Sequence, residues 1–503
     1  MSAAEERGRL LDQRPLVMRT RNIPLTVAIN SLVVAGALCA ALLVVPPEAV
    51  APHIALLRHL VMAALVALAA LLLSANAIII STFVAFGAAQ YVADLTFSIG
   101  SASIYGTDVV LGLVVLRALV PRDRLPLPGR FRLATRVVIG AWLAVMTLAA
   151  VRGYDAGTPV PTLFRSGSSA IYWPVLFFGY GAILRERSLN RRHLFGQFIG
   201  ACLGFVGFMI LMRLFNHPFE RSRHLLSFVP TTSGTFRRDY GLYSAFIIYP
   251  VFALVAIGYA LQRRTQVGRW VLLGVIGIAA TAATLIRGET YGLLMGIIVT
   301  LLLTTRAGRG PGGRTLGKRG RVVAGILLVI AGASIALSAI SPRYGIAVAE
   351  RSVPFLPEAP EAKANQDVRS LAFQTGVRTA EKYPLGLGIR EEVDLQNRYQ
   401  IDPELLGHSA PATLLVFGGF LALITFAGAV VALCVESWRF PQTVPWLHPV
   451  FVGIATLLVA YSLSANGIVG QSWVMAIGAL VLAVRFRLPP SEGDATSEIP
   501  RQA

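Results

Sequence analysis

The chain has 503 residues, of which 55% are hydrophobic and 14% are charged, and its formal net charge is +19. Because a soluble domain carries about a quarter charged residues, this composition excludes an ordinary soluble protein. The basic excess is spread over short segments between apolar runs, which argues against nucleic-acid binding and favours contact with anionic lipid or phosphate.

Apolar runs of about 20 residues, the length that spans the hydrocarbon core of a bilayer, recur along the chain. They predict an all-α integral membrane protein with about 14 transmembrane helices. In chain order we expect these helices at 24–45, 54–73, 76–94, 106–120, 133–151, 169–184, 194–214, 240–261, 269–286, 288–305, 321–340, 410–435, 447–463 and 468–485.

The arginines predict the orientation of these helices. They are concentrated in both terminal segments and in alternate connections, around 117–136, 185–192, 263–269 and 306–321. The positive-inside rule places such segments in the cytoplasm. We therefore expect a multi-pass protein of the bacterial inner membrane, with cytoplasmic tails at 1–23 and 486–503, helices 1–11 within 24–340, a periplasmic loop at 341–409, and helices 12–14 within 410–485.

The segment 341–409 is the longest connection between predicted helices, and it is polar. It contains Pro354, Pro357 and Pro360, and the pattern over 368–382 predicts a helix within it. Loops of this length are usually functional, so we expect any chemistry at the outer membrane surface. The glycine-rich segment 308–318 lacks the Ser or Thr and the preceding strand of a phosphate-binding loop, so neither ATP nor a nucleotide sugar is expected.

Three arginines stand on the outer side, where the positive-inside rule disfavours them. Arg237 and Arg238 precede the predicted helix at 240–261, and Arg287 lies between two apolar runs. A charge near membrane depth costs about 2.5–3.5 kcal/mol on insertion scales, so each arginine needs a partner. The structural interpretations are headgroup anchoring by the first pair and an ion pair between Arg287 and Glu289. The functional interpretation is a set of guanidinium forks that bind phosphate.

His408 falls where the long outer loop meets the helix predicted at 410–435. A histidine at a helix start often serves as a cap or an interface residue. A neutral imidazole there is also suited to act as a general base near pH 7. Glycosyl transfer from a lipid pyrophosphate needs a base and groups that stabilise the departing pyrophosphate, and this histidine and these arginines supply both in the functional interpretation. The candidate site is basic and has few carboxylates, so we expect no metal and no cofactor.

The stretch from Thr284 to Phe426 resembles the O-antigen ligase and polymerase superfamily. The resemblance is carried by a sequence of short motifs in the family's order: Ile286-Arg287-Gly288, Asp367-Val368-Arg369, Tyr383-Pro384-Leu385-Gly386-Leu387-Gly388, His408-Ser409 and Gly418-Gly419-Phe420-Leu421. Ile286 and Ser409 depart from the commoner Ser and Asn, and about 14 helices exceed the usual twelve or so.

The resemblance implies a GT-C-like helical fold and glycan transfer from undecaprenyl pyrophosphate. By match of motif it assigns the base to His408 and donor pyrophosphate binding to Arg287. Either Arg237 or Arg238 matches the arginine of the family's earlier outer loop, and Arg369 and Glu289 are supporting candidates. The implied partners are a lipid-linked oligosaccharide donor, a glycan or lipid-A-core-like acceptor, the membrane and polysaccharide assembly proteins.

Two other classes of protein fit the composition. A secondary transporter or lipid-linked glycan flippase also has twelve to fourteen or so helices, and Asp94 and Asp108 near predicted helix ends are its best candidate residues. We expect such proteins to show internal repeats or charges at mid-membrane, which this sequence lacks. A non-catalytic subunit of a polysaccharide assembly complex is the third hypothesis.

Overall fold

The structure, a computed structural model, describes much of the chain between residues 74 and 463. The described residues are 74–87, 97–99, 102–104, 106–120, 133–184, 186, 189, 191–214, 228–231, 234–237, 247–262, 267–284, 286–307, 343, 346, 360–406, 409–438 and 447–463. The helices predicted at 24–45, 54–73, 321–340 and 468–485 lie outside these residues.

The described residues are mainly helical. In chain order the elements are α1 Ala75–Gly87, β1 Phe97–Ile99, β2 Ala102–Ile104, α2 Gly106–Leu119, α3 Leu133–Asp155, α4 Val160–Ile183, α5 Arg191–Leu214, β3 Phe228–Thr231, β4 Gly234–Arg237, α6 Ile248–Gln262, α7 Val267–Ala283, α8 Arg287–Ala307, α9 Pro360–Lys382, α10 Glu392–Tyr399, α11 Pro403–Leu406, α12 Ala410–Trp438 and α13 Leu447–Ser462. Each predicted helix that falls on described residues overlaps one of these helices.

Three of the described helices are long and apolar enough to cross a membrane: Leu133–Asp155, His193–Ile210 and Ala410–Ser437. Others are equally apolar but shorter, among them Ile248–Leu261, Val267–Ala283 and Gly288–Thr304. This architecture is consistent with an α-helical membrane protein. The structure also contains two short antiparallel hairpins, β1–β2 and β3–β4, which hydropathy did not predict because their strands are only three and four residues long.

Helices α8 and α13 pack closely in antiparallel orientation. Their contacts pair residues in opposite order along the chain: Gly292 with Leu457, Gly296 with Gly453, and Thr300 with Pro449, whose carbonyl oxygen accepts a 3.2 Å hydrogen bond from the Thr300 hydroxyl. Helices α6 and α7 are also antiparallel, with Gly277 against Ala253 and Gly274 against Ile257. Glycines at the contacts allow the helix backbones to approach one another.

These pairings and the short connections define two ends of the bundle. At what we name the outer end, after the predicted orientation, α3 and α7 finish and α4, α6, α8 and α12 begin. At the inner end α12 finishes and α13 begins, and Ser437 Oγ lies 2.7 Å from His448 Nδ1. One buried apolar core runs between these ends and includes residues of α3, α6, α8, α12 and α13.

Side-chain pairs hold the inner end together. Arg117 at the end of α2 binds Glu186 after α4 through two hydrogen bonds, Nε to Oε1 at 2.8 Å and Nη2 to Oε2 at 2.7 Å. Each of the two side chains is only 2% exposed. Nearby in the bundle, Thr135 of α3 donates a 3.2 Å hydrogen bond to the buried Glu436 of α12.

Candidate functional site

Three elements of the structure carry predicted site residues. Arg287 is the first residue of α8, Arg237 is the last residue of β4, and Arg369 lies on α9. The side chains of Arg237 and Arg287 lie outside the described part of the chain, as do Arg238 and His408 entirely. The structure therefore describes the helices and strands that carry or flank these residues.

The turn that leads into α8 is built around two buried side chains. The hydroxyl oxygen of Thr284 lies 2.7 Å from the carbonyl oxygen of Thr281 and 3.2 Å from Glu289 Oε2, so its single proton can serve either acceptor. The same oxygen accepts a hydrogen bond from the backbone N–H of Ile286 at 3.3 Å. Thr281, Thr284 and Glu289 are all fully buried. This network fixes the backbone immediately before and after Arg287.

The proposed ion pair between Arg287 and Glu289 stays a prediction, because the Arg287 side chain is outside the described residues. Residues two apart on a helix do not face each other, which disfavours that pair. Glu289 has a different role in the structure: its carboxylate lies in the first turn of α8, where a negative charge stabilises the helix terminus.

The start of α12 is capped by Ser409, the residue after His408. Ser409 Oγ accepts a hydrogen bond from the backbone N–H of Ala412 at 3.4 Å, which is the position an N-cap serine serves. The Ser409 N–H binds the carbonyl oxygen of Leu406 at 3.3 Å, and the Thr413 hydroxyl donates to the same oxygen at 3.0 Å. Because Ser409 fills the capping position, a capping role for His408 is not needed.

Helix α9 covers the start of α12. Gly376 of α9 lies against Ala412, so close that a side chain at Gly376 would stand 2.8 Å from the Ala412 Cα. Ala372 and Ala380 are buried on the same face of α9. Arg369 continues this face toward the start of α9 and is half-buried. Helix α9 also contacts α11, which ends at Leu406.

The hairpin that carries Arg237 also reaches this region, because β3 contacts α9. In β4 Arg237 pairs with Phe228 of β3. The fold therefore collects elements from four separate parts of the sequence at the outer end: the β3–β4 hairpin, the start of α8, helix α9, and the α11–α12 junction that flanks His408.

A backbone junction beside this site was not predicted from the sequence. Residues 384–389, which include the glycines of the Pro-x-Gly-x-Gly motif, lie between α3 and α12. Helix α12 is broken at Gly419, whose backbone angles are φ 64° and ψ −159°. The adjacent Gly418 and Gly419 in an apolar run were the available signal for this break, since helices kink at paired small residues.

The described part of the chain does not form a metal site, and it gives little support to the two transporter candidates. Among those residues no group of three or more His, Cys, Asp and Glu side chains is placed to hold a metal ion. Of the two transporter candidates, Asp108 lies in the first turn of α2, where an acidic side chain suits the helix terminus, and Asp94 is outside the described residues.

Comparison of the sequence with models of protein families gives no match. Comparison with curated proteins gives none either. The resemblance to the O-antigen ligase and polymerase superfamily therefore rests on the short motifs and on their order in the chain.

Proposed function

We propose that this protein is a membrane glycosyltransferase of the O-antigen ligase and polymerase type. It transfers a glycan from undecaprenyl pyrophosphate to a glycan or lipid-A-core-like acceptor on the periplasmic side of the bacterial inner membrane. The observation that supports the proposal most is the convergence at the outer end. The start of α8, the Arg369 face of α9, and the junction flanking His408 come from distant parts of the sequence and belong to one end of the bundle.

The proposed reaction needs one base and one anion-binding group. An imidazole nitrogen of His408 takes the proton of an acceptor hydroxyl, and the acceptor oxygen attacks the anomeric carbon of the donor from the face opposite the pyrophosphate. The bond between the anomeric carbon and the pyrophosphate oxygen breaks, and its electron pair leaves with undecaprenyl pyrophosphate. The product therefore has inverted anomeric configuration, and no metal takes part.

Arginine side chains stabilise the leaving pyrophosphate in this proposal. Arg287, with Arg238 or Arg237, offers planar forks that match pairs of phosphate oxygens. The buried Thr284–Glu289 hydrogen bond holds the turn in which Arg287 lies, and Arg369 is half-buried on the α9 face that covers the α12 start. Such fixed positive groups are most effective where charge develops in the transition state.

The remaining parts of the proposal are the GT-C-like arrangement of about 14 helices and the orientation of the outer end toward the periplasm. The aromatic side chains of Phe195, Tyr259 and Trp270 are consistent with a membrane interface on either side, and the orientation is supported by the arginines beside them in the sequence. The three aromatic side chains form a cluster near the inner end, with ring centroids of Tyr259 and Trp270 4.2 Å apart. Tyr and Trp prefer the interface between membrane and water, and Arg263, Arg264 and Arg269 lie beside them in the sequence.

The direct test is glycan transfer by the purified protein in nanodiscs, with an undecaprenyl-pyrophosphate-linked oligosaccharide as donor. We expect His408→Ala to abolish transfer, while the control His193→Ala, an exposed histidine at the start of α5, remains active. Arg287→Lys should lose most activity because lysine lacks the bidentate fork, while Arg136→Lys at an exposed position of α3 should not. Wild-type turnover by His408→Ala would refute the mechanism.

A polymerase and a ligase share this chemistry, so a deletion strain separates them. Single repeat units on the final acceptor indicate a lost polymerase. Full-length polymer that stays on the lipid carrier indicates a lost ligase.

A secondary transporter or lipid-linked glycan flippase is the second candidate function, and one observation favours it. Glu289 and Glu436 are both fully buried in apolar helices, and buried carboxylates within a membrane often belong to ion pathways. Proton-coupled uptake by vesicles that contain the wild-type protein, lost in Glu289→Gln, would favour this function over glycosyl transfer.

A further inference from the structure

The break in α12 divides the helix into a short outer part, residues 410–418, and a longer inner part. In an unbroken helix the carbonyl oxygens of Val416 and Phe417 would accept hydrogen bonds from N–H groups four residues later. At the break these two oxygens accept hydrogen bonds from the loop: Leu387 N–H binds the Val416 oxygen at 2.7 Å, and Gly388 N–H binds the Phe417 oxygen at 3.0 Å. The loop thus satisfies backbone groups that an apolar environment would leave unpaired.

The loop segment that makes these bonds is held on its other side by α3. We name residues 384–389 the bridging segment. Ile389 N–H binds the carbonyl oxygen of Ala149 at 2.9 Å, and the Thr158 hydroxyl donates to the Ile389 oxygen at 3.1 Å. Arg152 Nη1 donates to the Leu385 oxygen at 2.6 Å. The bridging segment therefore joins α3 and its following turn to the outer part of α12.

Glycines make this three-way junction possible. Gly386 and Gly388 have positive φ angles of 73° and 83°, which residues with a side chain rarely adopt. A Cβ atom at Gly419 would overlap the carbonyl oxygen of Pro384, and one at Gly153 would overlap the carbonyl oxygen of Ile389. At each of these two glycines the nearest atom is a backbone carbonyl oxygen, so movement of a side chain alone cannot relieve an added methyl group.

We propose that the bridging segment positions the catalytic base. It holds residues 410–418 against α3. That short helix is capped by Ser409, which directly follows His408, the residue assigned as the base. Gly153, Gly388, Gly419 and Thr158 act as positioning residues, since none of them touches substrate in the proposed mechanism. The role of His408 as the base rests on the proposed function. The structural claim, that the bridging segment holds residues 410–418 against α3, does not depend on any activity.

A matched pair of glycine substitutions in α3 tests the proposal. Gly153→Ala places a methyl group against Ile389, whereas Gly140→Ala on the same helix places it in open space. We expect Gly153→Ala to lower kcat about ten- to a hundredfold, because small misplacements of reacting groups cost that much, with the KM for the lipid-linked donor within about twofold of wild type. Gly140→Ala should match wild type in both constants.

Hydrogen–deuterium exchange supplies the readout that does not depend on activity. In Gly153→Ala we expect faster exchange in peptides that cover 384–389 and 409–418, with unchanged exchange in α8 and α13. Equal exchange in Gly153→Ala and Gly140→Ala would overturn the positioning role, and so would faster exchange with wild-type kcat. Absence of transfer by the wild-type protein would instead contradict the proposed function, and the exchange result would still decide whether the segment locks the short helix.

A second pair covers the case in which Gly153→Ala does not fold. Thr158→Val removes the hydroxyl that binds Ile389, and Thr158→Ser keeps it. We expect a kcat reduced about threefold to tenfold in Thr158→Val, consistent with one lost hydrogen bond, and recovery in Thr158→Ser. Equal kcat values for the two variants would count against the proposal.

Discussion

The two ends of the bundle are held together by different kinds of contact. At the inner end buried side chains make the connections, above all Arg117 with Glu186 and Thr135 with Glu436. At the outer end the bridging segment connects α3 and α12 mainly through backbone N–H and C=O groups and glycine contacts. A backbone junction holds its partners at short range without long side chains, which suits an end at which elements must be placed accurately.

The difference also concerns charge. In the ion pair at the inner end, the Arg117 guanidinium and the Glu186 carboxylate bind each other, so neither group is available to a ligand. At the outer end two guanidinium groups bind backbone carbonyl oxygens of the bridging segment: Arg152 donates to Leu385 at 2.6 Å, and Arg390 donates to Leu387 at 2.9 Å. In the proposed enzyme, Arg287 with Arg238 or Arg237 binds phosphate groups at this end. Substitutions at both ends test this difference, and the one expected to destabilise the protein most is at the inner end.

Glu186→Ala tests whether a charge pair holds the inner end. It leaves the Arg117 guanidinium buried without its carboxylate, and we expect the free energy of unfolding to fall by about 3–5 kcal/mol. Steric-trap unfolding in bicelles measures it. The double variant Arg117→Met with Glu186→Leu removes both charges and should regain most of the loss. If Glu186→Ala is as stable as wild type, the pair does not hold this end.

Gly386→Ala tests the backbone junction. The methyl group adds strain of about 1–2 kcal/mol at φ 73° and overlaps the Phe417 carbonyl, for a total loss of about 2–4 kcal/mol in the free energy of unfolding. Gly157→Ala is the control, since Gly157 has φ 92° but open space around it. It should show the strain alone. Equal losses in the two variants would mean that close approach contributes nothing.

Thr135→Val removes the hydroxyl that donates to Glu436 while keeping the shape of the side chain. A buried carboxylate that loses a donor costs about 1–2 kcal/mol, so we expect a loss of that size in the same unfolding measurement. Thr135→Ser retains the donor and should stay close to wild type. A stable Thr135→Val would show that other contacts of Glu436 suffice.

Ser409→Ala removes the side-chain cap of α12. We expect the smallest effect, about 0.5–1 kcal/mol, because the capping hydrogen bond is long at 3.4 Å. Ser409→Thr preserves the cap and serves as the control. A loss well above 1 kcal/mol or so would mean that Ser409 has a further structural role beyond capping.

Hydropathy predicted the helices well wherever an apolar run was continuous, but it misplaced two helix starts for one reason. Helix α4 begins at Val160 rather than at 169, and α9 begins at Pro360 rather than at 368. Prolines occur at both starts. Proline is well tolerated in the first turn of a helix, because the N–H that it lacks has no helical partner there.

The site was less accessible to prediction than the fold. The order of motifs indicated Arg287 and the α12 start, but it did not indicate that Thr284 and Glu289 would be buried together. The break at Gly419 is stabilised by Leu387 and Gly388, about thirty residues earlier, and these in turn are held beside Ala149. Local propensity cannot reveal a conformation whose stabilising partners are so remote in sequence.

The break in α12 has a consequence for how the chain folds during its synthesis. Its carbonyl groups at Val416 and Phe417 are satisfied by Leu387 and Gly388, and the segment that carries those donors rests on Ala149. Each of these groups is synthesised before the carbonyl that needs it. Since proteins fold from the N-terminus during synthesis, helix α12 leaves the ribosome after these described partners of its irregular turn. The hydrogen bonds described at this irregular turn can therefore form before α13 is synthesised.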